Sequence, residues 1–369
     1  MSPSAPNRRT FLASAAALAA LPAAAAADSP AIPRRRLARA LVLSGGGARG
    51  AYQAGIIDYL RLAGQIPESA PLQPYGIIAG TSIGAINGYF AATGQYDALR
   101  ALWYSIAEQQ VVRLKARYAK ILNSDSGIGT RFAAAMRLVI GLSNNDTGVI
   151  DGEHLRDWLA SRIDPTYSVV TPLIWTVTNL TTQTPEFFYL VDRSLSPEER
   201  EEAVTALRGT VGPDAVLREA TPDILIDALR ASTAIPIAFD PVELPAPSGG
   251  GTNLYVDGGV TANTPIAAAR AAANRIDVVL MDPPLEQTHY HNALEVGFGV
   301  FGAMQRRILT ADLRAAYLEH AEIFQMLPEN ELPVGVVGFD DRENIYATFK
   351  VGFADAARGF APYVYGERE

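Results

Sequence analysis

The chain has 369 residues, 49% hydrophobic and 19% charged, with 31 glycines and 24 prolines. That is the composition of a folded protein with a sizeable core, and it excludes a disordered or collagen-like chain. No cysteine is present, which rules out a disulfide framework, thiolate metal sites, iron–sulfur clusters and a cysteine nucleophile. The formal charge of −8 is unevenly spread: residues 1–39 carry six arginines against one aspartate, so the body from Ala40 onward stands at −13. A body of that charge is expected to repel nucleic acid.

Asn7, Arg8, Arg9, Thr10, Phe11 and Leu12 place an arginine pair ahead of the apolar run 13–21, which ends in Pro22 and the small residues 23–27. This pattern looks like a twin-arginine (Tat) type signal peptide over residues 1–27, cleaved near Ala27. The run is well short of the roughly 20 apolar residues that a membrane-spanning helix needs. Resemblance to such signals implies export of the folded protein to the periplasm or beyond. Residues 28–39, with Pro30, Pro33 and Arg34 to Arg36, read as a solvated linker.

From residue 40 the pattern alternates. Apolar runs at 40–43 and 75–79 are each followed by a helical stretch, at 51–62 and 83–92. Strand, helix, strand, helix is the signature of a parallel sheet. A helical region follows from 96 to 145, ending in the amphipathic run 131–142, which reads as packing, with a lid as the alternative. His154 falls in the helical stretch 153–160 and is expected at the surface. Further apolar runs lie at 173–177, 254–256 and 276–281, with a capping-box start at Ser196 and Glu199 and a loop at 245–252. The stretch 292–319 reads as a helix whose Phe298, Phe301, Met304, Ile308 and Leu313 face the core. Residues 40–369 are therefore expected to form one α/β domain, three layers deep (α/β/α), around a mostly parallel central sheet.

The first candidate for chemistry is Ser44, Gly45, Gly46, Gly47, Ala48, Arg49 and Gly50, between the first strand and its helix. Consecutive glycines there let backbone N–H groups converge on an anion, either a bound phosphate or the transient oxyanion of acyl transfer. Gly45, Gly47 and Gly50 also fit the dinucleotide fingerprint, but the acidic residue expected after the next strand is missing: Glu68 lies in a turn. In its place stands Ser82, in the Gly80-Thr81-Ser82-Ile83-Gly84 turn between a strand and a helix. That is the setting of a nucleophile elbow, and equally of a helix-capping serine. The third candidate is Asp257, followed by Gly258 and Gly259 after a short strand. It is expected to point into the same crevice from the end of a parallel strand, although an Asp-Gly turn is common at strand ends. A serine nucleophile needs a base, and Asp257 could serve.

Together these three blocks resemble the signature blocks of the patatin-like lipid acyl hydrolases. Ala231, Ser232, Ala234, Pro236 and Phe239 resemble the family's block ahead of its aspartate, and Asn263 and Pro265 the Asn-x-Pro after it. The resemblance runs in order from about residue 40 to 281. It implies a carboxylic ester hydrolase acting on lipid or lysolipid esters of the phospholipase A or lysophospholipase type. In that reading Ser82 is the nucleophile and Asp257 the base of a Ser–Asp dyad, Gly45 to Gly50 form the oxyanion hole, Gly80 and Gly84 the elbow, and Gly258 and Gly259 the turn that carries the aspartate. Some members carry Asp where this chain has Ser44.

A Ser-Asp-His triad is the rival within hydrolases. Its order is met by Ser82, Asp257 and any of His289, His291 or His320, but Ser82 follows only the second strand, which is early for that fold. His289 and His291 have no third ligand nearby, so neither a metal nor a cofactor is expected. Contact with a membrane surface is expected to be transient at most, since an acidic body has no general attraction to anionic lipid. The alternative from another class is a module that binds phosphate or lipid through the glycine loop without catalysis.

Overall fold

The computed structural model describes residues 39–109, 111–119, 147–211, 215–270, 273–282, 293–318 and 321–359. The signal-like segment 1–27, all of the linker except Arg39, the amphipathic run 131–142 and His289, His291 and His320 lie outside the described residues.

The elements run β1 (Ala40–Leu43), α1 (Gly50–Ala63), β2 (Ile77–Thr81), α2 (Ile83–Ala92), α3 (Tyr96–Ser105), the one-turn α4 (Ala116–Ala119) and α5 (Gly152–Ala160). They continue with β3 (Leu173–Asn179), β4 (Thr184–Leu190), α6 (Pro197–Val211), β5 (Val216–Glu219), α7 (Leu225–Thr233), β6 (Val242–Pro245) and β7 (Thr252–Asp257). The last are the short α8 (Gly259–Ala262) and α9 (Ala267–Arg270), then β8 (Arg275–Val279), α10 (Ala293–Leu318), β9 (Glu322–Met326) and α11 (Arg342–Arg358). The capping box that starts α6 is formed: the Ser196 amide donates to Glu199 Oε2 and the Glu199 amide to Ser196 Oγ.

The sheet order is β5-β4-β3-β2-β1-β8-β9. Strands β3, β2, β1, β8 and β9 are mutually parallel, and β4 is antiparallel to β3. Side chains alternate between two cores, as strand geometry requires. Leu41, Leu43, Ile78, Trp175 and Phe188 enter the core that takes α1, α2, α3, α7 and α11. Ala40, Val42, Ala79, Ile174 and Phe187 enter the core that takes α6, α9 and the C-terminal half of α10. The result is a three-layer α/β/α architecture, and burial on both faces explains why the central strands read as unbroken apolar runs. Leu313 is buried as expected, whereas Met304 on the same helix is 58% exposed: it sits on the outward side of α10, where apolar content alone does not reveal orientation.

Strand β7 corrects the parallel orientation expected for the strand that carries Asp257. Along one edge of β3, β2 pairs in parallel as far as Thr81 opposite Thr176; from there β7 takes over the same edge in antiparallel register, with Asp257 opposite Val177. The other edge of β3 is filled along its whole length by β4. The C-terminal ends of β2 and β7 therefore meet head to head on one strand, and Ser82 and Asp257 fall beside each other at that meeting point.

Candidate active site

Ser82 has φ 55° and ψ −127°, a backbone conformation that costs a non-glycine residue energy and persists only where its surroundings impose it. The two glycines make the turn sterically possible. A Cβ on Gly80 would lie 2.5 Å from the Gly84 carbonyl oxygen, and one on Gly84 would lie 2.3 Å from the Leu43 oxygen. Ser232 fixes the turn from the side: its hydroxyl accepts from the Ser82 amide at 2.9 Å and donates to the Thr176 carbonyl at 2.7 Å, tying the elbow to β3.

The Ser82 hydroxyl donates to Asp257 Oδ2 at 2.7 Å, and the Gly259 amide donates to Asp257 Oδ1 at 2.7 Å. Each side chain thus has a defined partner, and both residues are 5% exposed. The Asp257 backbone is held from two sides, its amide donating to the Ala234 carbonyl at 2.9 Å and its carbonyl accepting from Thr178 Oγ1 at 3.0 Å. Burial pushes the Asp257 carboxyl up from 3.8 to about 7, against the opposing pull of its hydrogen bonds from Ser82 and Gly259. Gly258 lets the chain turn against β3, because a Cβ there would lie 2.2 Å from the Thr176 oxygen.

The glycine loop packs directly on this pair: a Cβ added to Gly45 would lie 3.1 Å from that of Ser82. Its peptide groups can be accounted for one by one. The Ser44 carbonyl accepts from Gln53 Nε2 at 2.8 Å, and the Gly45 amide donates to the Asn263 carbonyl at 2.9 Å. The Ala48 amide donates to the Val336 carbonyl at 2.8 Å and the Arg49 amide to the Gly46 carbonyl at 3.3 Å. The Gly50 amide turns back onto Ala48 and Gly47. Only the amides of Gly46 and Gly47 form no hydrogen bond among the described residues. Of the stretch from Gly45 to Gly50 expected to supply oxyanion donors, the N–H groups of Gly45, Ala48, Arg49 and Gly50 are therefore already engaged, and two are left for an incoming anion. Gly47 reaches its position with φ +59° beneath the Val336 carbonyl.

Other candidates fall as follows. The Arg49 guanidinium pairs with Asp282 just beyond β8. His154 lies on α5, where its backbone amide is capped by Asp151. Glu68 pairs with Arg61 in its turn, away from the glycine loop. Three residues that shape the site were not singled out from the sequence: Gln53, Asn87 and Gln305, whose Nε2 donates to the Gly259 carbonyl at 2.8 Å. Asn87 left a usable signal, as the one amide side chain in the otherwise apolar stretch of α2.

With this geometry in view, the comparison with protein families is direct: the patatin-like phospholipase model matches residues 41–270. The chain belongs to the patatin-like phospholipase family. A comparison with curated proteins finds no match. Among solved structures, the crystal structure of VipD from Legionella pneumophila is similar with a TM-score of 0.40 and 15% identity. That alignment covers 87% of this chain and 66% of the VipD chain, so this chain spans just under two thirds of its length.

Proposed function

We propose that the protein is an exported serine hydrolase that cleaves carboxylic esters of lipids, of the phospholipase A or lysophospholipase type, through an acyl-Ser82 intermediate. Membership of the patatin-like phospholipase family supports lipid-ester hydrolysis. The observation that carries the reading is the 2.7 Å hydrogen bond from Ser82 to Asp257, whose carboxyl is pushed up to about 7 by burial. An exposed aspartate near 4 is a feeble base toward an alcohol, whereas one near 7 is matched to neutral pH.

In this mechanism Ser82 Oγ attacks the ester carbonyl while its proton passes to Asp257 Oδ2. The carbonyl oxygen, now an oxyanion, takes the amides of Gly46 and Gly47, and Gly259 keeps the aspartate aimed. Collapse expels the alcohol, which leaves with the proton from Asp257. A water molecule, deprotonated by the same carboxylate, then attacks the acyl-enzyme; as the Oγ–acyl bond breaks, the proton returns from Asp257 to Ser82 Oγ and the carboxylic acid is released. No metal or cofactor enters. The twin-arginine pattern at the N-terminus motivates the export, the acidic body argues against nucleic acid as a partner, and contact with a lipid surface is transient.

Hydrolysis of short-chain aryl esters and of phospholipid and lysophospholipid esters by the mature protein tests the proposal. Ser82→Ala should fall to background, and Asp257→Asn should lose roughly 10²- to 10⁴-fold in kcat, the usual contribution of a general base. Unchanged rates in either folded variant would refute it. If instead a folded wild type turned over no ester but bound inorganic phosphate, with binding lost in Gly46→Val and kept in Ser82→Ala, the glycine loop would be a binding module.

A further inference from the structure

Behind the glycine loop runs a buried chain of polar side chains that has no part in the chemistry just described. Trp103 Nε1 on α3 donates to Asn87 Oδ1 at 2.9 Å. Asn87 Nδ2 on α2 donates to Gln53 Oε1 at 2.9 Å and to the Gly50 carbonyl at 3.0 Å. Gln53 Nε2 on α1 donates to the Ser44 carbonyl at 2.8 Å. Gln53 and Asn87 are wholly buried, and Trp103 nearly so.

The direction of this chain is determined by its first member. An indole N–H can only donate, so Asn87 must turn its oxygen to Trp103 and its nitrogen to Gly50 and Gln53. Gln53 must then present oxygen to Asn87 and nitrogen to Ser44. The Ser44–Gly45 peptide is thereby gripped at both ends, its carbonyl by Gln53 and its N–H by the Asn263 carbonyl. From that fixed plane the chain steps directly to the amides of Gly46 and Gly47, which form no hydrogen bond among the described residues. Asn87 lies five residues after Ser82 on the helix that begins at the elbow, while Gln53 lies on the helix that begins at the loop.

We infer that Gln53 and Asn87 are positioning residues that hold the Gly46 and Gly47 amides in register with Ser82, with Trp103 setting their orientation. The inference rests on the reading of Ser82 as nucleophile and of those amides as oxyanion donors. Fully satisfied buried polar chains specify one arrangement of the elements they join, and two of the three helices joined here, α2 and α1, begin at the turn that holds the nucleophile and at the loop that holds the oxyanion donors. A small rotation of the loop would leave Ser82 and Asp257 paired while moving the donors away from the developing charge. Such a shift costs catalysis far more than binding.

The deciding variant is Gln53→Met, close in size and unable to grip Ser44; Asn87→Leu is the more disruptive companion. Each is compared with wild type in melting temperature, in kcat and KM on p-nitrophenyl butyrate, and in the acid limb of the pH profile. For Gln53→Met folded at assay temperature, kcat is expected to fall roughly 10- to 100-fold with KM within about twofold, and the acid limb, which reports Asp257, to stay in place. A folded Gln53→Met with wild-type kcat would overturn the inference, as would a loss of kcat accompanied by a shifted acid limb. Labelling of wild-type Ser82 by a fluorophosphonate separates the two levels. Its absence refutes the hydrolase reading itself, while its presence alongside an unaffected variant refutes only the role of Gln53 and Asn87.

Discussion

Asp257 is the residue at which stability and the proposed function oppose each other. Its carboxyl is raised from 3.8 to about 7 in the folded protein, so keeping it ionised and buried costs about 4 kcal/mol above pH 7. The sign follows from the direction of the shift. Stability associated with the protonated acid is fully present below about pH 4 and is lost as the pH rises through 7. Asp257→Asn should therefore melt at a higher temperature than wild type at pH 8, with the gain fading toward pH 4, which thermal denaturation at the two pH values measures. With Asp257 as the proposed base, which must be ionised to act, the same shift predicts an acid limb of kcat/KM near pH 7. At this scale much was legible in the sequence: Ser82 between Gly80 and Gly84, and Asp257 before Gly258 and Gly259, are spaced as the turns demand. What could not be read was which loop amides stay free. That depends on the Asn263 and Val336 carbonyls, more than 200 residues away along the chain.

Among the elements, the strands buried on both faces were legible as apolar runs, while β4, β5, β6 and β9 were not, because their sequences mix polar residues such as Glu186, Arg218, Glu243 and Gln325 into short strands. The direction of β7 was equally hidden, since a strand's sequence does not encode the orientation of its partner. Helix α11 shows what lies beyond the matched family region. It packs backbone to backbone on α1: a Cβ on Gly352 would lie 2.0 Å from the Tyr52 oxygen, and one on Gly55 would lie 2.1 Å from the Phe349 oxygen. The segment ahead of it is tied in by the Val334 amide, which donates to Thr348 Oγ1, and it delivers the Val336 carbonyl to Ala48. Gly352→Val should force these helices apart, lowering stability by about 1–3 kcal/mol in denaturant titration. It should also reduce kcat through the displaced loop. A variant as stable as wild type would mean that the contact is not needed.

For the whole molecule, the family match ends at residue 270, but the sheet does not. Strand β8 pairs with β1 on one side and β9 on the other, and β1 is the strand that leads into the glycine loop. At the opposite end of β1, Asp277 is buried beneath Arg39, Tyr75 and Arg275, accepting from the Tyr75 hydroxyl at 2.8 Å. A chain ending at residue 270 loses the neighbour of β1 and the partner of Arg39, and it should show no cooperative unfolding by circular dichroism. A cooperative transition in that fragment would show that the matched region folds alone. The alternation of elements was enough to establish the α/β class. The domain was expected to run from residue 40 to 369 with a helix at 292–319, but β9 and α11 within it were not legible, because neither carries a motif.

The most direct measurement is fluorophosphonate labelling of the mature protein, located by mass spectrometry, in wild type and Asp257→Asn across pH 5 to 9. The proposed chemistry predicts label on Ser82 alone, forming faster as the pH rises through about 7 and lost in Asp257→Asn. Labelling of Ser82 that is indifferent to Asp257, or no labelling of a folded wild type, would contradict it.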